Sequence, residues 1–297
     1  MAFKSKQPEK QVKIKEHEHE MEEVSPPPSY DRIAPLDETR GYCVLSMILY
    51  HALFILGSYF GVVWAMEAYN WLRPIEPLFG CLFVFISGVS ARLSSKPRER
   101  AWRLMMFALL LSVVTIGILP NLPNAPIKNM QIWFGVLHLM AVGYFLVSVI
   151  KKKDKGFLMK LPPLVGCLVC LVLLTLTWPI PEKHAIGMFD WFAIPLPERL
   201  FEPDLLLKNF LMPFGIHDKD FYSWDYFPLF PFLFVFFFGW FMGKMKNDNK
   251  EDNPAWWYKQ NLEWLGFIGK KAVWFYLLHM PVLYGLFYML SGGRMHF

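Results

Sequence analysis

The sequence predicts an all-α protein: a polytopic helical bundle in a membrane, with about seven or more transmembrane helices and a cytoplasmic N-terminus. Three observations carry that prediction. Hydrophobic residues make up 55% of the 297-residue chain and charged residues 19%, against about 45–50% and about 25% in an ordinary soluble domain. The apolar residues fall in seven runs, and about 20 such residues cross about 30 Å of hydrocarbon. Lysine and arginine are concentrated in alternate connections, which sets the direction of each span.

The runs lie at about 43–63, 78–94, 104–119, 132–150, 162–180, 228–243 and 265–290. The second, third and sixth are short, so tilt or flanking aromatics must complete them. The first 40 residues, 96–103 (KPRERAWR), 151–160 (KKKDKGFLMK) and 244–250 (KMKNDNK) through Lys270 and Lys271 are basic. The other connections hold Arg73 alone, Lys128 alone, and an acidic balance over 181–227. The basic side is the inner one, which leaves the C-terminus outside. The net charge of +5 is this topology signal and not a nucleic-acid footprint.

Residues 1–36 mix lysine and glutamate with HEHE and SPPPSY, too polar and proline-rich to bury a core. They read as a disordered cytoplasmic tail before an integral-membrane domain at 37–297. This opening shows no cleavable signal peptide, so the first span directs insertion into the cell (inner) membrane. His17 and His19 read as part of a solvated charge run. The outer loop 181–227 is too long to be structureless. Within it, PERLFEPDLLLKNFLMPFG has the spacing of an interfacial helix, with Leu200, Phe201, Leu205, Leu206, Phe210 and Leu211 on the bilayer. Cys167 and Cys170 match C-x-x-C inside an apolar run without a second ligand pair, so they read as packing residues, and no metal is expected.

Arg40 and His51 are the first candidates for chemistry. Eleven residues apart on one helix, they share a face at a separation of about 16 Å, one at the cytoplasmic edge and one near mid-membrane. An ionisable group at that depth must meet a polar cavity or a partner. His138 and His279 lie in later spans at overlapping depths, so the three histidines are expected to line one cavity; a neutral histidine bonded to a neighbouring helix is the plainer alternative for each. Ser87, Gly88 and Ser90 permit close helix approach on the second span. Arg92, Arg98, Arg100 and Arg103 join Arg40 in a basic inner rim, explained equally by anionic headgroups or by a phosphate-rich donor. Asp37 stands ready as a partner for Arg40. Asp225 and Tyr226, where the sixth span begins, would orient an acceptor or cap a helix.

The stretch DETRGYCVLSMILYHALF (37–54) resembles the first-helix signature of prokaryotic membrane acyltransferases, whose essential arginine and histidine match Arg40 and His51. LFGCLFVFISGVSARLS, IWFGVLHLM, FYSWDYFPLFPFLFVFFFGWFMGK and LEWLGFIGKKAVWFYLLHMPVLY, in that order, resemble the bacterial branch of the heparan-alpha-glucosaminide N-acetyltransferase catalytic-domain family. The resemblance implies transfer of an acyl group, by preference acetyl, from cytoplasmic acetyl-CoA or another acyl-CoA to a hydroxyl or amino group of a glycan or lipid-linked sugar at the outer face. His51 would be the general base. Arg40, with Arg92, Arg98, Arg100 and Ser87, would hold the donor, and Asp37, His138, His279, Asp225 and Tyr226 would serve the substrate side. Lysosomal relatives use a histidine in the loop after the first helix; WAMEAYNWLRPIEP has none, so the amino-sugar acceptor does not carry over.

A proton-coupled transporter or flippase using the intramembrane histidines is the competing reading, although no inverted repeat supports it. A non-catalytic scaffold is the third. A retinal-type receptor is disfavoured because Lys270 and Lys271 stand at the start of the last span. Membrane lipid is the expected surrounding partner, and a homo-oligomer is compatible with the sequence.

Overall fold

The computed structural model describes residues 33–121, 130–152, 156–188, 192–201, 210–218, 220–246 and 252–292. Their helices are α1 Ala34–Phe60, α2 Val63–Leu72, α3 Glu76–Leu93, α4 Pro97–Ser112, α5 Val136–Lys152, α6 Phe157–Lys160, α7 Pro163–Thr177, α8 Ile180–Lys183, α9 Leu229–Met242, α10 Glu263–Lys270 and α11 Ala272–Leu290. An antiparallel hairpin, β1 Ala185–Met188 with β2 Phe192–Pro195, follows α8. The charged tail through residue 32 and most of the proposed interfacial helix, at 202–209, lie outside the described residues.

Among the described residues, five helical stretches are long and apolar enough to cross a membrane: Ala34–Phe60, Glu76–Leu93, Pro97–Asn121, Pro163–Lys183 and Ala272–Leu290. Leu229–Met245 is apolar but shorter. The third run is longer than its hydropathy indicated, because α4 continues through a π-helical segment Val113–Ile118 into Asn121. The seventh run is not one helix. It divides at Lys271 into α10 and α11, since the sequence GKK leaves the apolar pattern there and Lys271 takes φ −107°, ψ 15°. The first span begins at Ala34, inside the segment assigned to the tail, with proline in its first turn. There the missing N–H costs nothing.

Small residues decide which helices touch. A Cβ at Gly88 would run into the Phe236 carbonyl oxygen and one at Gly239 into that of Phe85, so α3 and α9 cross backbone to backbone. Gly41 meets the Leu265 carbonyl and Gly269 that of Asp37, which seats α10 on the start of α1. Glu38 adds a cap, accepting from the Asn261 and Leu262 N–H groups at 2.6 and 3.0 Å. Around these crossings Val84, Leu137, Leu139, Val147, Phe236 and Trp240 form a continuous buried core. With α1, α5 and α9 all packed on it, α3 is central.

The first connection, read as a plain loop, contains α2. Gly61, at φ 67°, ends α1 in the left-handed conformation that glycine reaches without strain. The chain then doubles back, bringing Met66 against Gly57 and Tyr69 against Tyr50 at 4.7 Å. As a result α3 starts well back from the C-terminal end of α1, and its first residue, Glu76, is within electrostatic reach of Tyr50.

Candidate functional site

His51 and His279 face each other across α1 and α11, with ring centroids 5.0 Å apart. Each has its Nδ1 committed to a backbone carbonyl of its own helix. His51 Nδ1 is 3.0 Å from the Met47 oxygen, and His279 Nδ1 is 2.6 Å from that of Tyr276. A carbonyl only accepts, so each Nδ1 carries the hydrogen and each neutral ring presents a bare Nε2 lone pair. The Nε2 of His279 is buried without a hydrogen-bond partner, while His51 keeps some accessible surface.

One turn before His279, the Tyr276 hydroxyl donates to Asp225 Oδ2. The same oxygen accepts from the Val136 N–H at 3.0 Å. Gly135 leaves the room for this carboxylate, since a Cβ there would meet Oδ2. Lack of solvation pushes the Asp225 carboxyl above its ordinary range, and the two hydrogen bonds pull it back. Glu76 lies close enough to Asp225 to repel it. Thus the starts of α3, α5 and α9 converge on the acidic side of the histidine pair. Phe54, one turn after His51 on α1, packs on Tyr69 at 5.2 Å and on Trp224 at 4.8 Å.

His138 stands apart from the pair. Its Nδ1 accepts from the Gly135 N–H at 3.2 Å, so the neutral ring carries its hydrogen on Nε2, the reverse of the other two. It stacks on Phe134 and satisfies an orphan donor at the start of α5. The expected cavity of three histidines is therefore a pair plus one cap. Tyr226 donates to the Met212 carbonyl at 2.6 Å and so ties the connection before α9 to itself.

Towards the other end of α1, Arg40 donates to Asp37 at 2.8 Å and to Ser90 Oγ at 2.6 Å, which ties α1 to α3. Arg92 is two residues beyond Ser90, so it leaves α3 on nearly the opposite side. It lies over the Trp240 ring, 4.8 Å from its centroid. The basic rim is thus divided by α3. Ser87 is buried and donates to the Phe83 carbonyl and the Met140 sulfur, at 2.9 and 3.0 Å. Arg98 and Arg100 are exposed on the first turn of α4. The described residues contain no group of three or more histidine, cysteine, aspartate or glutamate side chains suited to a metal ion.

Comparison with family models gives a match to the model described as heparan-alpha-glucosaminide N-acetyltransferase, catalytic, over residues 32–281. The chain belongs to that family. The matched region holds Arg40, the histidine pair, Glu76, Asp225 and Tyr276. No curated protein and no solved structure matches the chain. Family membership and the apolar helices make this a membrane protein of an acetyltransferase family, and such enzymes use acetyl-CoA as donor.

Sequence reasoning missed Glu76, Tyr276, Tyr50 and Tyr69, and read Ser90 only as a small residue for close helix approach, not as a partner of Arg40. Tyr276 was within reach, because a spacing of three places it on the His279 face of a helix. Glu76 was hidden by its prolines: PIEP reads as a turn, and only the descent of α2 places it beside Tyr50.

Proposed function

We propose that this protein spans the cell membrane about seven times, N-terminus inside, and moves an acyl group, by preference acetyl, from cytoplasmic acyl-CoA to an acceptor at the outer face. The acceptor group is a hydroxyl or an amine of a glycan or lipid-linked sugar. The observation that carries this reading is the pair of imidazoles with bare Nε2 atoms, one of which, His51, stands on the helix that carries Arg40 nearer its start.

His51 Nε2 takes the proton of the acceptor as its oxygen or nitrogen attacks the thioester carbonyl. The carbon–sulfur bond then breaks, CoA leaves as the thiolate, and the imidazolium returns a proton to it. Ester or amide and free CoA result. Positioned general-base catalysis of this kind contributes about 10²–10⁴-fold. His279 lies close enough to respond to the charge on His51, and Asp225 holds Tyr276, whose carbonyl fixes the His279 tautomer. Arg40, braced by Asp37 and Ser90, is the anchor for a donor phosphate or carbonyl at the inner mouth. Phe54, Tyr69 and Trp224 supply flat apolar surfaces for a sugar face on the outer side.

The test is transfer of labelled acetyl from acetyl-CoA in proteoliposomes supplied with membrane extract as acceptor. Native protein should release CoA and fix label, whereas His51→Ala and Arg40→Ala should not. Lack of turnover together with lack of acyl-CoA-dependent thermal stabilisation would transfer the assignment to a proton-coupled transporter.

A further inference from the structure

Arg92 has an unusual setting for a guanidinium. It is half-buried, its stem packs on Gly243, its plane lies over Trp240, and its one hydrogen bond is to the Met159 sulfur at 3.1 Å. A thioether is a weak acceptor, so most of the five donors have no oxygen partner among the described residues. Lys151 stands beside it, donating to the Arg92 and Ser94 carbonyls at 2.6 and 2.8 Å. Two of the three ammonium hydrogens are thereby used and one remains. The Ser94 hydroxyl is 5% exposed and has no hydrogen-bond partner. Arg100 is close enough to repel Lys151.

Three cations and a buried unpartnered hydroxyl surround one helix end, with no carboxylate paired to them among the described residues; Arg92 and Lys151 are partly buried, so an anion held there would offset their desolvation. We propose that Arg92, Ser94, Lys151 and Arg100 form a binding site for a phosphate ester at the cytoplasmic side, separate from Arg40. The guanidinium and ammonium offer charge-assisted donors, and the serine hydroxyl supplies a neutral one. The short helix α6 flanks the site with exposed Phe157, as an interfacial segment would. An acidic phospholipid headgroup and the phosphates of the acyl donor share this chemistry.

The experiment separates the two sources. Native protein, Arg92→Gln and Ser94→Ala are melted in neutral detergent with phosphatidylglycerol or phosphatidylcholine micelles, and separately with CoA or 3′-dephospho-CoA. Lys96→Gln, an exposed residue paired with Glu99, is the control. The expected result is stabilisation of native protein and Lys96→Gln by one phosphate ester, with at least a tenfold weaker apparent affinity in Arg92→Gln. Loss confined to phosphatidylglycerol identifies a lipid; loss confined to CoA, or preference for CoA over its dephospho form, identifies the donor. Ser94→Ala guards against a folding artefact. It removes an unsatisfied hydroxyl, so it should melt no lower than native without ligand yet bind the ester more weakly. Native affinities for both ligands in Arg92→Gln and Ser94→Ala would overturn the proposal.

Discussion

Substituting Asp225 by alanine tests the outer half of the site. Oδ2 of this residue is the shared acceptor for the Tyr276 hydroxyl and the Val136 N–H. Val136 and Tyr276 are 5% and 8% exposed, so neither donor can turn to water when the carboxylate is gone. An orphaned buried donor costs about 1–3 kcal/mol, so the pair costs about 2–6 kcal/mol. In a chain of this size the lower figure lowers the melting temperature by at least about 3 °C. Asp225→Asn behaves differently, because its remaining oxygen can stand at the Oδ2 position and accept from both donors. Gly135→Ala should resemble the alanine variant, since its methyl group displaces Oδ2. Melting in detergent and acetyl transfer in proteoliposomes are read on the same preparations. If Asp225→Ala melts within about 1 °C of native protein and transfers acetyl at the native rate, the carboxylate neither supports the fold nor orients α11.

Three further outcomes follow from the geometry. His51→Gln and His279→Gln should keep the melting temperature near native, with His51→Gln losing about 10²–10⁴-fold in transfer rate; equal rates for His51→Gln and native protein would remove the base from this position. Gly88→Ala should destabilise by about 1–3 kcal/mol through forced separation of α3 and α9, whereas Gly285→Ala, with open space around its Cβ, should be neutral or stabilising by up to about 1 kcal/mol. The Asp225 proton is held more tightly in the folded chain than at its ordinary value of 3.8. Its contribution is therefore complete below that value and declines as pH rises through the raised one, so native protein should lose melting temperature relative to Asp225→Asn as pH rises from 3.8 through the raised value.

Much of the bundle was legible because a bilayer makes the signal coarse: a run of apolar residues is a helix whatever its neighbours are. The break at Lys271 was less visible, since the run through Trp264 and Phe267 continues in hydropathy although α10 is seated on α1. Arg40 and His51 could be paired by helical period alone. The link from His51 to His279 could not, because nothing local fixes which faces of α1 and α11 meet. That choice is made by Gly41 and Gly269, whose missing side chains admit α10 and so position the helix after it. The separation of Arg40 from Arg92 was available from the sequence, because Ser90 and Arg92 are two residues apart on a helix. Treating the arginines as one rim used their depth and ignored their direction.

The clasp between α10 and the start of α1 also bears on how the molecule is made. α1 is made before α10, yet Gly41 finds its seat and Glu38 its backbone partners only on α10 and the residues just before it, far later in the chain. His51 likewise is made well before the imidazole opposite it. Until α10 and α11 arrive, α1 lacks its seat and the histidine pair is half assembled. A chain that stopped before α10 would keep the preceding helices yet lack both the clasp and the pair, so synthesis itself delays their assembly until α11 is in place.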